Sequence, residues 1–145
     1  INDVSTREIT EKIQAMFSEA TGEILVMGWM GTFFLKKLRE LKEKGIEIRV
    51  ITHKPKELRE DLMRREKERA YKELIEMIGL DHISIKPELH GRAIIVDNKA
   101  LIGSMDLDSY SLTGPRIEFA IYTEEPDVVR RLRNYFNRIF SPLKE

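Results

Sequence analysis

Cysteine is absent, which excludes disulfides, thiolate nucleophiles and cysteine-ligated zinc. Net charge is absent too, with Lys plus Arg and Asp plus Glu at 25 each. Such a balance gives no global field to draw in a polynucleotide or an anionic membrane, so any surface for a polyanion must be local. No apolar run approaches the roughly 20 residues of a membrane-spanning helix, and no membrane partner is expected. Internal repeats, low-complexity tracts and Gly/Ser linkers are missing, so residues 1–145 read as one domain. The start, Ile1-Asn2-Asp3, is neither a signal peptide nor an initiator methionine. It points to a piece excised from a longer protein, with additional domains that carry part of its role. The expected location is cytoplasmic. High Lys and Glu content without cysteine suits a thermophile's intracellular protein.

What is present is enough apolar residue, 41% of the chain, to bury a real core. Ser5 followed by Glu8 resembles a capping box. After it Ile9, Ile13, Met16, Phe17 and Ala20 fall at helical spacing, with Gly22 as the stop. Residues 23–28 read as a short buried strand. Thr32 can cap a second helix, whose apolar face is Phe34, Leu35, Leu38 and Leu41 and whose stop is Gly45. Residues 46–51 read as the next strand, giving a parallel pair with a crossover helix. A long charged helix follows Pro55 and ends near Gly79. Ile83-Ser84-Ile85 is a brief strand. Residues 93–96 and 100–103 read as strands joined by a turn at Asp97-Asn98-Lys99, and residues 119–122 as another strand. Pro126 suits the first turn of a last helix, with Val128, Val129, Leu132, Tyr135, Phe136, Ile139 and Phe140 on its apolar face. The fold class is α/β: a mixed sheet with helices on both sides.

Ligands on such sheets favour strand ends and the loops beyond them, which directs attention to residues 89–118. His90 and Arg92 stand two apart where a strand begins, and positions two apart on a strand share a face. Asp97 opens the next turn, where a carboxylate can bind backbone N–H groups. Gly103-Ser104 is a small pair that lets a ligand approach the backbone. Asp106 and Glu118 follow. An imidazole, a fixed cation, a hydroxyl and an orienting carboxylate form a kit for phosphodiester chemistry. Arg92 would bind non-bridging oxygens and Ser104 would donate to them. His90 would attack phosphorus and form a phosphohistidine. Glu118 would hold the imidazole in its tautomer. Protein cations serve in place of a metal, so neither metal nor cofactor is expected. Arg116 and Tyr110 can border the substrate. The alternative for each is a packed or surface side chain in an ordinary loop.

The segment resembles the HxK(x)4D…GSxN signature of the phospholipase D superfamily. His90, Arg92 and Asp97 have the spacing of its first part, Gly103-Ser104 matches the GS pair, and Glu118 falls where members carry the glutamate that pairs with the histidine. Arg92 replaces the family lysine, putting a planar fork where a compact ammonium stands. Asp106 replaces the family asparagine, which sets a carboxylate beside an anionic phosphate. The gap from Asp97 to Gly103 is one residue short. The resemblance implies a phospholipase D-like half-site domain. In that family two motifs face each other across a twofold axis, one histidine attacking and the other protonating the leaving oxygen. This chain has one motif, since His53 and His82 lack the pattern, so a symmetric homodimer is expected. The implied activity is metal-independent phosphodiester hydrolysis, with DNA or RNA as substrate. The rival expectation is a catalytically degenerate domain kept for nucleic-acid or ligand binding and dimerisation within a larger regulator or ATP-dependent protein.

Overall fold

A computed structural model describes residues 6–53, 61–105 and 118–144. Helix α1 spans Thr6–Ser18, strand β1 Glu23–Met27, α2 Thr32–Glu43 and β2 Glu47–Thr52. Helix α3 (Asp61–Ile78) leads through a 3-10 turn at Leu80–His82 into β3 (Ile83–Ile85). Strands β4 (Arg92–Val96), β5 (Lys99–Gly103) and β6 (Ala120–Thr123) precede helix α4 (Pro126–Ile139). The sheet has six strands in the order β3-β2-β1-β4-β5-β6. Strands β1, β2 and β3 run parallel, while β4 lies antiparallel to β1, β5 to β4 and β6 to β5. The expected mixed sheet is therefore present.

Alternation along the strands sorts two cores. Ile24 and Val26 of β1, Ile48 and Val50 of β2, and Ile94 and Val96 of β4 pack with α1, α2 and α3. Leu25, Met27, Ile51, Ala93 and Ile95 face the other way and pack with Val129 and Phe136 of α4. Helix α4 is tied down by polar contacts as well. Arg133 donates from Nε to Glu23 Oε1 at 2.7 Å and from Nη2 to the Asp97 carbonyl. Arg49 donates to Asn137 Oδ1 at 3.0 Å, and its guanidinium lies 5.4 Å from the ring centres of both Phe136 and Phe140.

Several boundaries differ from the sequence expectation, each for a local reason. Helix α1 ends at Ser18, not at Gly22; Gly22 instead stands against Asp97, to which its N–H donates at 2.9 Å. The cap of α2 is Gly31 with no side-chain hydrogen bond, and Thr32 is already helical. Gly45 does end α2: its φ is 94°, its N–H reaches the Lys42 carbonyl, and the Ile46 N–H reaches that of Leu41, a Schellman closure. The β4–β5 turn uses two residues, because Lys99 already pairs with Val96. Val128 and Tyr135, expected on the buried face of α4, are exposed at 39% and 47%. Ser5 and Pro55 lie outside the described residues.

Gly103 has a structural duty that the sequence assigned to ligand access. A Cβ there would sit 2.2 Å from the Phe119 carbonyl oxygen and 2.8 Å from Ala120 Cα, both backbone atoms of the incoming β6 segment. Gly103→Ala is expected to cost about 3 kcal/mol in urea unfolding, since backbone must shift to admit the methyl. A loss under about 0.5 kcal/mol would show that β6 is not held against β5 as described.

Candidate active site

The site is built where β1 and β2 finish and β4 begins. His90 and Gly91 precede β4 and are exposed, so strand alternation applies only from Arg92 onward. Arg92 has the parity of Ile94 and Val96, the face of α1 to α3. Its Nη1 turns back to donate to the His90 carbonyl at 2.9 Å and to the Gly91 carbonyl at 3.3 Å. Those two bonds brace the chain that carries the imidazole.

Ser104 and Glu118 meet at the neighbouring strand end. The Ser104 hydroxyl donates to Glu118 Oε2 at 2.5 Å and accepts from the Phe119 N–H at 3.2 Å. Glu118 is nearly buried, at 8% exposure. A hydroxyl has one proton to give, and here it goes to the carboxylate, not outward to a ligand. The resemblance pairs Glu118 with His90; the structure pairs it with Ser104. The bond joins the end of β5 to the residues that lead into β6.

A cleft of about 620 Å³ opens beside His90 on the α4 face of the sheet. Met27, Ala93 and Ile102 form its floor and Leu132, Tyr135 and Ile139 its helical wall. Lys86 and Arg138 stand around it against one carboxylate, Glu88, and Arg92 joins the lining where β4 begins. This is the local cationic surface that a neutral chain needs for an anion. Lys86 carried no signal in the sequence. Tyr135 was expected only on the apolar face of the last helix, and the fold shows that its end of that helix, with Arg138, reaches the cleft that His90 lines. Arg138 lies 5.2 Å from the centre of the Tyr135 ring.

Other candidates have different places. Asp97 is at the far end of β4 from His90, held by backbone N–H groups. Asp106, Tyr110 and Arg116 lie outside the described residues. His53, which lacks the motif pattern, is half-buried and stacks on Trp29 with centroids 5.7 Å apart, while Lys67 lies 5.7 Å from the Trp29 ring. Trp29 is in the core. His82 bridges Glu47 at 2.7 Å and Asp81 at 2.9 Å. Among the last helix's arginines, Arg133 is committed to Glu23 and Arg130 pairs with Asp127 at 2.7 Å. Among the described residues no group of three His, Asp or Glu could hold a metal ion, and no helix is long and apolar enough to cross a membrane.

Residues 6–140 match the family described as cardiolipin synthase, PLD-like domain. The chain belongs to the phospholipase D-like family. This PLD-like domain also resembles solved structures. NucT from Helicobacter pylori superposes with a TM-score of 0.71 at 11% identity, over 92% of this chain and 88% of that one. A phosphatidylserine synthase from Haemophilus influenzae Rd KW20 gives 0.79 at 14%, over 97% of this chain but 38% of that one. TrmBL2, an archaeal chromatin protein that binds DNA, gives 0.64 at 18%, over 92% and 48%. At these identities the likeness is one of fold. No curated protein sequence matches the chain.

Proposed function

We propose that this PLD-like domain is a phosphodiesterase that cuts a nucleic-acid backbone through a phosphohistidine at His90, in a site completed by a second chain. One observation carries the reading: an exposed histidine lines a cleft together with Lys86 and Arg138, one strand away from a Ser104–Glu118 pair at 2.5 Å. A ring nitrogen of His90 attacks phosphorus. The bond to the leaving oxygen breaks, and that oxygen takes a proton from the partner's His90. Water then attacks, the phosphorus–nitrogen bond breaks, and the second imidazole accepts the water proton. The surrounding cations hold the non-bridging oxygens and offset charge in the transition state. A polynucleotide suits a cationic rim, and TrmBL2 shares the fold and binds DNA.

A second reading, a binding module without turnover, draws on Arg92. Its Nη1 is engaged with backbone carbonyls, and Asp106 brings a carboxylate where the family has an amide. The test is incubation with a chromogenic phosphodiester, single- and double-stranded DNA and phospholipid vesicles, in chelator. Cleavage of DNA in chelator supports the phosphodiesterase; binding without cleavage supports the module; cleavage confined to vesicles moves the substrate to lipid. The double variant Arg92→Lys, Asp106→Asn is expected to raise the rate about tenfold or more, because an ammonium and a neutral amide suit phosphate better. No gain would remove both residues from the account of the site.

A further inference from the structure

The four arginines of α4 differ in what holds them. Arg133 is committed to Glu23 and Arg130 to Asp127. Arg131 and Arg138 are exposed and meet no carboxylate among the described residues. Positions 131, 135 and 138 are spaced i, i+4, i+7, so Tyr135 stands between these two cations on one stripe of the helix. The Tyr135 ring is exposed, lines the His90 cleft and has the Arg138 guanidinium 5.2 Å from its centre. A cation over an aromatic face restrains the ring, so a flat platform stands ready before any ligand arrives. The cleft beneath it has an apolar floor of Met27, Ala93 and Ile102. Its volume, about 620 Å³, is in the range that encloses a small organic group.

We propose that Tyr135 and the cleft form a subsite for an unpaired nucleobase, so that the strand this domain takes is single. The inference rests on the phosphodiesterase reading, which sets the scissile phosphate at His90. A phosphate chain alone has no use for an apolar floor. A duplex presents phosphate and sugar outward and keeps its bases in the stack, so it can touch the cationic rim without filling the cleft. An unpaired base brings a π-face for the tyrosine ring and carries a phosphate on either side. Lys86 and Arg138 stand at the cleft for one of those phosphates. Arg131 lies about 10 Å from Arg138 along the helix axis, placed for a phosphate further along the same strand. An acyl chain would use the floor but not an aromatic ring set between two arginines. Charge complementarity and the aromatic ring therefore point to one occupant, a single-stranded polynucleotide.

The test uses the whole chain in chelator, with fluorescence anisotropy as the readout. Three labelled probes are compared: an oligothymidylate of about 12 nucleotides, an abasic chain with the same number of phosphates, and a hairpin duplex of matched length. The oligothymidylate should bind about tenfold or more tighter than either of the others. Tyr135→Ala should weaken the oligothymidylate about tenfold and leave the abasic chain within about twofold, which also shows that the variant is folded. Tyr135→Phe keeps the ring and should stay within about threefold of wild type. Arg131→Ala should lower the slope of log affinity against log salt by about 0.7. The proposal is overturned by a duplex bound as tightly as the single strand, or by Tyr135→Ala weakening both single-stranded probes equally. A loss in Tyr135→Phe as large as in Tyr135→Ala, a salt slope unmoved by Arg131→Ala, or no binding at about 100 µM does the same. So does a preference for phosphatidylglycerol vesicles over the oligothymidylate. Turnover on the same samples separates the two claims. This binding pattern without cleavage leaves the base subsite standing and refutes the phosphodiesterase; cleavage that treats single and double strands alike refutes the subsite alone.

Discussion

Replacing His90 with alanine is expected to lower kcat/KM on a phosphodiester by about four orders of magnitude or more, with oligonucleotide affinity within about threefold of wild type. The asymmetry follows from the division of labour at the cleft. Lys86 and Arg138 line the cleft and would supply the charge for binding in the proposed site, and truncating the imidazole leaves both in place. On the proposed mechanism the imidazole would supply the lone pair that makes the covalent bond and, in the other chain, the proton for the leaving oxygen. Each variant dimer thus loses its nucleophile and its acid together. Mixing sharpens the test. When equal amounts of wild-type and His90→Ala chains exchange freely, a site requiring an imidazole from each chain survives only in wild-type pairs, so activity should fall to about a quarter. Independent chains would retain about half. A result near half would sink the shared site even with the pure variant dead. A pure variant that retains more than about a tenth of the activity would remove His90 from the chemistry altogether.

The central strands β1 and β4 were legible because each is a short apolar run closed by a glycine or an aspartate, and burial on both faces leaves little other use for such a run. The helix ends were less so. Thr32 carries the side chain of a cap, yet the backbone bends at Gly31 and the hydroxyl enters the first turn. Periodicity gave the apolar stripe of α4 but not its neighbours. Val129 and Phe136 meet the sheet, while Val128 and Tyr135 fall on a flank that this chain does not cover. Spacing singled out His90, Arg92 and Ser104 as candidates, but it did not give their hydrogen-bond partners. Ser104 and Glu118 stand 14 residues apart, and nothing in the intervening composition says which donor reaches the carboxylate. Lys86 reaches the cleft because β3 finishes at the same end of the sheet at which β4 begins. Arg133 and Glu23 meet across 110 residues, a distance over which local pattern carries no information.

Asp97, the last residue of the first half-signature, is expected to hold the fold and not the reaction. Its Oδ1 accepts the N–H groups of Gly22 and Glu23, both at 2.9 Å. Its Oδ2 accepts the N–H and hydroxyl of Thr21 at 2.8 and 3.2 Å. The β4–β5 turn is thereby stitched to the loop entering β1, and the turn residue adopts φ 52°, which aspartate and asparagine tolerate better than alanine. Asn keeps that conformation and one acceptor, Gly keeps the conformation alone, and Ala keeps neither. Losses in urea unfolding at neutral pH should therefore rank Asn, Gly, Ala, at about 2, 3 and 4 kcal/mol. Burial pushes the Asp97 carboxyl up, but the donors from Thr21, Glu23 and Gly22 outweigh it and hold it below the usual carboxylate value. The sign then follows. The unfolded carboxyl titrates near about 3.9, so the stabilisation is complete above that pH and disappears as pH falls through the lower folded value. The gap between wild type and Asp97→Asn should accordingly narrow on acidification below about pH 4. Because His90 lies roughly 20 Å away along the strand, the Asn variant should keep wild-type kcat while folded. A gap that stays constant down to about pH 2, or a kcat that collapses in well-folded Asp97→Asn, would contradict the assignment of this carboxylate to the scaffold.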